Sequence, residues 1–424
     1  MLIYFKVGNY KSIKDPIELN FNAAALNEHP DSNVIGGENV SLLKSILLLG
    51  HNASGKSKIL DAFVFFRLFV ISSATENQRN EKIDVESFRL NTATVGKPSF
   101  FEASFMVGEL KYRYGFEVDS DRVYKEWLLE SKVTKEYPVF LRIGDEVQIN
   151  KKKFPNADGL EKRTRKNALF LSVASQWNVG KAEKINEWFA SIFTIHGLMD
   201  EVYKNLTIDL LKDERYSKLV NEFIQKVDLG INSIEAMDMP PALRKSIEDI
   251  PERFKNSLTE KWKGKNEKAV FTFHKRFDEN GNSGDNIPFL LDDQESDGTR
   301  KYFNLIGVFI TAILESRLMV IDEFDARLHT LLTKSILKLF HSSQTKSKAQ
   351  LLVASHDTAL LDRNLLRRDQ IYFVEKDKYG ATETTALVEY KPRKESPYDK
   401  NYLDGKYGAI PFIDGLESLM VDDR

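Results

Sequence analysis

Eight consecutive residues near the amino terminus, GHNASGKS (Gly50–Ser57), have the types and spacing of a phosphate-binding loop. They fit the pattern G-x-x-x-x-G-K-[ST], in which glycines let backbone N–H groups wrap around phosphate oxygens. Lys56 would reach the β- and γ-phosphates of a nucleotide, and the Ser57 hydroxyl would bind Mg²⁺. The other loop residues, all predicted to line the same site, are Gly50, His51, Asn52, Ala53, Ser54 and Gly55.

The segments on either side of this loop are those that the motif requires. The apolar run before it, SILLLG (Ser45–Gly50), is typical of a strand buried on both faces. From Lys56 to about Ser73, apolar residues recur at helical spacing. A glycine-rich turn with an exposed lysine is the alternative interpretation, and the strand–loop–helix context argues against it.

Two adjacent carboxylates end another apolar segment, RLMVIDEFD (Arg317–Asp325). Asp322, at the predicted end of the strand, would hold Mg²⁺ through water, and Glu323 would polarise the attacking water. An ordinary strand end with capping acids is the alternative. This alternative is less favoured because a predicted phosphate-binding loop lies upstream in the same chain.

A serine and a glycine mark the predicted start of a helix in ESDGTRKYF (Glu295–Phe303). Ser296, Gly298 and the first helical N–H groups would attract an anion, although a plain N-cap uses the same residue types. The spacing favours the anion site, because the 26 residues from Ser296 to Asp322 fit one helix plus one strand.

One histidine, His356 in LLVASHD, has a similar spacing. A lone histidine at a strand end is usually a surface residue. His356, however, lies 33 residues after Glu323, which again fits one helix plus one strand. We therefore expect it to follow the strand next to the one that carries Asp322, beside the γ-phosphate.

Composition excludes several classes of protein. The 424 residues are 42% hydrophobic and 29% charged, which is typical of a soluble globular chain and excludes a wholly disordered one. The absence of cysteine excludes disulfides, Cys-ligated zinc and iron–sulfur clusters. No apolar run is long enough to span a membrane, which excludes a transporter, and no signal-peptide pattern is visible, so we expect a cytoplasmic protein.

Nucleic acid binding has only weak support from charge. The formal net charge is −2, so no global basic field attracts a phosphate backbone. Two local basic clusters could do so. A solvated loop is the favoured interpretation, because acids lie nearby and no stacking aromatics separate the lysines. The cluster residues are Lys151, Lys152, Lys153, Lys162, Arg163, Arg165 and Lys166.

Strands alternate with helices at both ends of the chain, which predicts an α/β fold with a parallel, helix-covered sheet. Four β-rich runs between about residues 99 and 143 predict an antiparallel meander. From about residue 182 to 254 the pattern is mostly helical. We therefore expect residues 1–180 and 266–424 to form two halves of one α/β head, with 181–265 as an inserted helical lobe.

The motifs as a set resemble the ABC-type ATPase heads of the SMC, RecF and OLD groups. They resemble more closely the "AAA family ATPase" proteins of bacterial defence loci, including ATPase subunits of PARIS-type and RloA- or AbiL-type systems. The resemblance runs over the whole chain and is weakest across the middle. The segments that carry it are GHNASGKS, ESDGTRKYF, LMVIDEFDARLH and LLVASHD, with FKVGNYKSIKD, LLRRDQIYFVEKD and YLDGKYGAIPFI as further matches.

This resemblance implies a mixed-sheet ABC-type head and a role for each motif. GHNASGKS corresponds to the Walker A loop and IDEF to the Walker B strand. ESDGT stands in place of the signature LSGGQ and keeps Ser296 and Gly298. Asp325 falls in the D-loop, and His356 would be the switch histidine. Gln176, in SVASQWN, is the candidate Q-loop glutamine that contacts nucleotide and Mg²⁺. Nucleotide contacts are also implied for Tyr10, Lys11 and Ser12.

Three functional hypotheses follow. The first is an ATPase, using ATP and Mg²⁺, that forms a homodimer or higher homo-oligomer around ATP and regulates a separate effector. The resemblance to defence-system ATPases implies that this effector is a nuclease, and we expect the inserted lobe to be the surface that contacts it. The second is a RecF-like DNA-binding ATPase. The third, a self-contained OLD-type nuclease, is disfavoured because only 68 residues follow His356, too few for a Toprim domain. The motifs do not distinguish ATP from GTP.

Overall fold

The computed structural model of the protein describes residues 1–37, 40–76, 78, 81–227, 230–238, 268–393 and 395–410. The chain divides into two compact units. The first unit comprises Met1–Leu198, Ala312–Ala326 and Thr333–Arg424, and the second comprises Met199–Thr311 and Arg327–Leu332.

The strands, in chain order, are β1 (Leu2–Gly8), β2 (Ile17–Asn20), β3 (Val34–Gly36), β4 (Ser41–Leu43), β5 (Ser45–Leu49), β6 (Ser99–Val107), β7 (Leu110–Val118), β8 (Val123–Ser131), β9 (Tyr137–Ile143), β10 (Glu146–Ile149), β11 (Phe193–His196), β12 (Ser233–Asp238), β13 (Lys268–Phe277), β14 (Ser283–Leu290), β15 (Leu318–Asp322), β16 (Gln350–Ser355), β17 (Ile371–Lys376) and β18 (Thr382–Ala386). The helices are α1 (Lys56–Ser72), α2 (Phe170–Gln176), α3 (Gly180–Ala190), α4 (Lys204–Leu211), α5 (Glu214–Gln225), α6 (Leu291–Gln294), α7 (Asp297–Leu314), α8 (Thr330–Phe340) and α9 (Tyr398–Leu403).

Two large sheets form the first unit. One has seven antiparallel strands in the order β10-β9-β8-β7-β6-β1-β2, and it contains the predicted meander. The other has six strands in the order β11-β15-β16-β5-β17-β18, parallel except for the β17–β18 pair. All five residues of β5 are buried, as its continuous apolar sequence predicts. The predicted mixed α/β head is thus confirmed.

Helix α1 is fixed by an aromatic core. The ring of Phe66 lies 5.3 Å from that of Phe116 and 5.4 Å from that of Phe189, and Phe63 lies 5.0 Å from Phe5. Each fully buried side chain of this size contributes roughly 1.5–3 kcal/mol of hydrophobic free energy. Since α1 begins at Lys56, this core also fixes the end of the Gly50–Ser57 loop.

The second unit has its own core. Apolar residues of α5 and α7, among them Val220, Ile224, Phe303 and Ile306, pack in it together with Ile234 of β12. The antiparallel sheet β12-β13-β14 completes this unit.

The predicted division at residues 180 and 265 stays a prediction, and its part from 239 to 265 lies outside the described residues. Helix α3 and strand β11, which follow residue 180, belong to the first unit. Within the described ranges, no helix is both long and apolar enough to cross a membrane.

Candidate nucleotide-binding site

The chemically important residues of the first unit lie at one edge of the six-stranded sheet. The loop Gly50–Ser57 follows β5, Asp322 is the last residue of β15, and His356 follows β16. The strands are parallel, and their register pairs Leu49 with Ser355 near the ends of β5 and β16. Because the carboxyl ends of parallel strands meet at the same edge, the residues predicted from spacing come together there.

Both glycines of the loop are required by close approach of neighbouring atoms. A Cβ on Gly50 would lie 2.2 Å from the carbonyl oxygen of Val374. A Cβ on Gly55 would lie 2.1 Å from Oγ1 of Thr382, and Gly55 also has a φ of +110°. At Gly50 a side chain would require a backbone shift, because the obstructing atom is a carbonyl oxygen. At Gly55 it would meet the side chain of Thr382 and would also be strained by the positive φ. The loop is therefore shaped by strands β17 and β18 as well as by its own sequence.

The side chain of Lys56 is 5% exposed and points into the loop. Its ammonium donates to the carbonyl oxygens of Gly50, at 2.7 Å, and His51, at 3.0 Å. Burial lowers the pKa of Lys56 to about 8, and the negative charges of Asp322, Asp325 and Glu323 oppose part of that shift. The carboxylates of the predicted Walker B segment thus act electrostatically on the predicted Walker A lysine.

His356 joins the same cluster. Its Nδ1 lies 3.2 Å from the Lys56 ammonium and 3.1 Å from the carbonyl oxygen of Gly50. Its backbone N–H donates to a carboxylate oxygen of Asp325 at 3.4 Å. The histidine predicted from a 33-residue spacing therefore contacts both the loop and the segment that follows Glu323.

The turn after β15 holds the two predicted carboxylates in a defined backbone geometry. Glu323 has a φ of +50°, an unfavourable left-handed conformation for a residue with a side chain, and its N–H donates to Oδ1 of Asp322 at 3.0 Å. Gly197 packs against this turn: its N–H donates to the Asp322 carbonyl at 2.8 Å, and a Cβ there would lie 2.2 Å from the Glu323 carbonyl oxygen.

Two residues next to this turn were missed by sequence reasoning. His196, the last residue of β11, pairs in register with Asp322, and Gly197 follows it. The signal was the short run FTI directly before them, which is rich in residues that favour strands and lies in a region that otherwise has a helical pattern. Only the pairing of β11 with β15 reveals that these residues lie beside the carboxylates.

A second missed neighbour comes from the carboxyl-terminal part of the chain. The N–H of His51 donates to the carbonyl oxygen of Ala409 at 3.2 Å. That carbonyl also accepts from the Tyr402 hydroxyl at 2.8 Å, and the Ala409 N–H donates to Glu375 at 2.8 Å. Ala409, in the described part of the YLDGKYGAIPFI segment, thus contacts the phosphate-binding loop through its backbone.

Three residues before β2 were also predicted to contact nucleotide, and of these Ser12 is connected to the loop through Thr382. The Ser12 hydroxyl lies 2.8 Å from Oγ1 of Thr382, the side chain that packs on Gly55. Lys11 forms an ion pair of 2.8 Å with Asp61 of α1. The ring of Tyr10 is buried in the core. Their roles toward nucleotide stay predictions.

Gln176 is the last residue of α2 and is exposed. Within the described part of the chain, no hydrogen bond joins its side chain to the loop Gly50–Ser57. The start of α2 is held by the buried carboxylate of Glu126, which accepts from the N–H groups of Phe170 at 2.6 Å and Leu171 at 2.9 Å. The assignment of Gln176 as a Q-loop residue stays a prediction.

The signature candidate belongs to the second unit. The Ser296 hydroxyl accepts from the Thr299 N–H at 3.2 Å and so caps the start of α7. A Cβ on Gly298 would lie 3.0 Å from the carbonyl oxygen of Arg327, so the backbone of the predicted D-loop runs close to this helix start. Ser296 therefore acts as the N-cap of α7, and the anion site at the same helix terminus stays a prediction.

The residues at the sheet edge fit a triphosphate with Mg²⁺. Among the described residues, the buried Ser54 hydroxyl has no hydrogen-bond partner, and the Lys56 ammonium is hydrogen-bonded only to two carbonyl oxygens of the loop and to His356. In the described ranges, no group of three or more His, Asp or Glu forms a metal site by itself. Mg²⁺ characteristically uses one or two protein ligands together with phosphate oxygens and water, and the exposed Ser57 and the half-buried Asp322 suit that arrangement.

A protein-family profile described as "AAA domain, putative AbiEii toxin, Type IV TA system" matches residues 45–362, about three quarters of the chain. The matched span includes the loop, Ser296, both carboxylates and His356. The chain belongs to this family. The matched region is therefore an AAA domain, the type of domain that binds ATP in ATPases.

Two solved structures are similar to this AAA domain protein. The "SMC head domain from Thermotoga maritima" is 14% identical, with a TM-score of 0.42, and the match covers 91% of this chain and 98% of that one. The "Crystal structure of the SmcHead bound to the C-winged helix domain of ScpA" is 13% identical, with a TM-score of 0.45, and the match covers 92% and 99%. No curated protein matches the sequence significantly.

Proposed function

We propose that this protein hydrolyses ATP to ADP and phosphate. The observation that carries the proposal is the contact of Lys56 with Gly50 and His356, at the sheet edge where β15 ends in Asp322. A buried ammonium inside a glycine-bounded loop is suited to the β- and γ-phosphates. The carboxylate pair and the histidine supply the groups that hydrolysis requires.

Each of these residues has a distinct task in the proposed reaction. Ser57 and, through water, Asp322 would hold Mg²⁺, which would neutralise charge on the phosphates. Glu323 accepts a hydrogen bond from the attacking water and polarises it. His356, 3.2 Å from the Lys56 ammonium, stabilises the γ-phosphate as charge develops on it.

We further propose that two copies of the chain bind ATP between them. Ser296 caps α7 and leaves other N–H groups of the first turn available for an anion. In ABC-type heads, the corresponding helix faces the nucleotide of the partner copy. A two-fold assembly would then contain two equivalent sites, each with Lys56 of one copy and Ser296 of the other.

The proposed biological role is to control a separate effector, such as a nuclease, in anti-phage defence. The sequence has no cysteine nucleophile, and the described residues contain no group of three or more His, Asp or Glu that could hold a metal ion. An ATPase without other chemistry acts by passing a conformational change to a partner, and closure around ATP provides such a change. The family description, which refers to a putative toxin and a toxin–antitoxin system, is consistent with an effector-linked role.

A RecF-like DNA-binding ATPase is the alternative. The side-chain contacts of the basic clusters weaken the case for DNA binding further. Lys153 forms an ion pair of 2.6 Å with Glu130, and Lys151 one of 2.9 Å with Asp158. The guanidinium of Arg163 lies 4.0 Å from the centre of the Trp177 ring. These cations already interact with neighbouring side chains, which reduces the free positive charge offered to a phosphate backbone.

Expression of the chain with and without the neighbouring open reading frame, followed by phage challenge, tests the proposed role. We expect protection only when both proteins are present, and co-purification of the two. Protection by the ATPase alone, with DNA-stimulated ATP hydrolysis and no partner in pull-downs, would support the RecF-like alternative instead.

A further inference from the structure

Glu295, the residue directly before Ser296, is held by two side-chain contacts within the second unit. The carboxylate of Glu295 belongs to a side chain that is only 9% exposed, and one of its oxygens serves two donors. The Thr272 hydroxyl donates to Oε1, and Nε2 of His274 lies 2.7 Å from the same oxygen. Thr272 and His274 are two positions apart in β13, so their side chains lie on the same face of the strand.

The two donors are themselves fixed by the hairpin to which they belong. Thr272 is fully buried and pairs in register with Phe289 of β14. The ring of His274 packs against Phe289, with ring centroids 4.7 Å apart. The anchor of Glu295 is therefore the β13–β14 hairpin, a regular and hydrogen-bonded element, rather than a loop.

Glu295 leads directly into the signature candidate. Its backbone is extended, with φ −97° and ψ 156°, and the next residue is Ser296, which caps α7 through the Thr299 N–H. Consecutive Cα atoms are about 3.8 Å apart, so any shift of Glu295 displaces the serine with it. On the other side, the close approach of Gly298 to the Arg327 carbonyl limits how far the helix start can move.

We propose that Glu295 is a positioning residue, which holds Ser296 and the first turn of α7 in the geometry needed to act on nucleotide. The proposal rests on the shared ATP site put forward above and assigns to the Thr272–Glu295–His274 cluster a task in it. We do not expect Glu295 itself to contact nucleotide, because its Oε1 accepts from Thr272 and His274 of β13 and the N-cap position belongs to Ser296. A purely structural role in the second unit would instead change stability without a specific effect on turnover.

The first test separates turnover from nucleotide binding. In Glu295→Ala, we expect kcat to fall about tenfold or more, the usual scale for one lost charged hydrogen-bond anchor, while the Kd for ATP stays within about twofold of wild type. Glu295→Gln keeps an accepting oxygen for Thr272 and should retain most of kcat. The matched control is Glu279→Ala, an exposed acid in the turn of the same hairpin, which should behave as wild type. Unchanged kcat in Glu295→Ala, or an equal loss in Glu295→Gln, would overturn the proposal.

The second test asks on which side of the site Glu295 acts. A mixture of Lys56→Ala and Glu295→Ala chains should recover activity, because one composite site then has an intact Lys56 and an intact Glu295–Ser296 segment. The same mixture with Ser296→Arg in place of Glu295→Ala serves as reference. Recovery with Ser296→Arg but not with Glu295→Ala would refute the positioning role while leaving the shared site intact. Recovery with neither would refute the shared site, and the comparison of kcat with Kd would still decide the role of Glu295.

A third variant, Thr272→Val, keeps the proposal testable if Glu295→Ala does not fold. Thr272→Val removes one donor and keeps the side-chain shape, so it should fold normally and lower kcat about threefold to tenfold, with an unchanged Kd for ATP. If Glu295→Ala proves too unstable to purify, this variant carries the comparison. Wild-type turnover in folded Thr272→Val would then overturn the proposal.

Discussion

The Nδ1 atom of His356 lies 3.2 Å from the ammonium of Lys56, although 300 residues separate the two in the sequence. The contact exists because β5 and β16 are adjacent parallel strands, and each residue follows the end of its strand. It links the group expected to bind the phosphates with the group expected to sense the γ-phosphate.

Lys56→Ala should abolish ATP hydrolysis. The γ-phosphate would lose its cationic partner, and the loop would lose the ammonium that now bonds to the carbonyl oxygens of Gly50 and His51. Steady-state phosphate release by the purified variant measures the effect. Lys58→Ala is the matched control, because Lys58 is an exposed lysine on the same helix and should be dispensable. Undiminished turnover in Lys56→Ala would refute the phosphate-binding loop.

Glu323→Gln should bind ATP and Mg²⁺ but hydrolyse ATP about 10²- to 10⁴-fold more slowly, since the attacking water loses its polarising base. Asp322 remains in place to hold the metal. Equilibrium binding of a fluorescent ATP analogue, with single-turnover hydrolysis, separates the two effects. If the variant instead fails to bind nucleotide in the presence of Mg²⁺, the roles of the two carboxylates are reversed.

Nucleotide affinity should fall as the pH rises through about 8. Burial lowers the pKa of Lys56 to about 8, so the lysine loses its proton above that pH in the free protein. Bound phosphate favours the charged form, and binding at pH 8 to 9 must therefore take up protons. Calorimetric titration with ADP in two buffers of different ionisation enthalpy measures this uptake. Lys56→Arg, whose guanidinium does not titrate in this range, should show no uptake from this position.

Site residues could be predicted from the sequence where they lie in contiguous motifs or at a regular spacing from such a motif. The loop Gly50–Ser57 and the carboxylates after β15 are contiguous motifs, and spacing alone placed His356 beside them. His196 and Ala409 could not be found in this way, because their proximity to Asp322 and His51 arises from strand pairing and chain return over long sequence distances. The meander was predicted from alternation and turns, whereas β11 was not, since four residues carry too little periodicity.

The protein should lose stability in mild acid through His341. Burial lowers the pKa of His341 to about 3, and its Nε2 lies 2.8 Å from the Ser45 hydroxyl of β5. The unfolded chain, with an ordinary histidine pKa near 6.5, binds a proton that the folded protein excludes between about pH 6.5 and 3. Stability is therefore fully present above pH 6.5 and falls by about 2 kcal/mol at pH 5 from this residue. Urea unfolding at pH 7 and 5 should show a smaller difference in His341→Gln than in wild type; an equal difference would contradict the assignment.

The shared ATP site makes the most demanding prediction. Lys56→Ala and Ser296→Arg chains should each be inactive alone, the first for lack of the phosphate-binding cation and the second because a bulky cation replaces the cap of α7. Mixed as heterodimers, they contain one site with both defects and one with neither, so up to half of the activity per dimer should return. Differently tagged chains, purified in tandem, give a defined heterodimer for the ATPase assay. The control is a mixture of Lys56→Ala with Glu323→Gln chains, whose defects both lie in the first unit and so leave each site with one of them. No recovery in a proven Lys56→Ala and Ser296→Arg heterodimer would show that each chain hydrolyses ATP with its own residues. Recovery in the control would contradict the proposed arrangement in another way, because it would place Lys56 and Glu323 of different chains in one site.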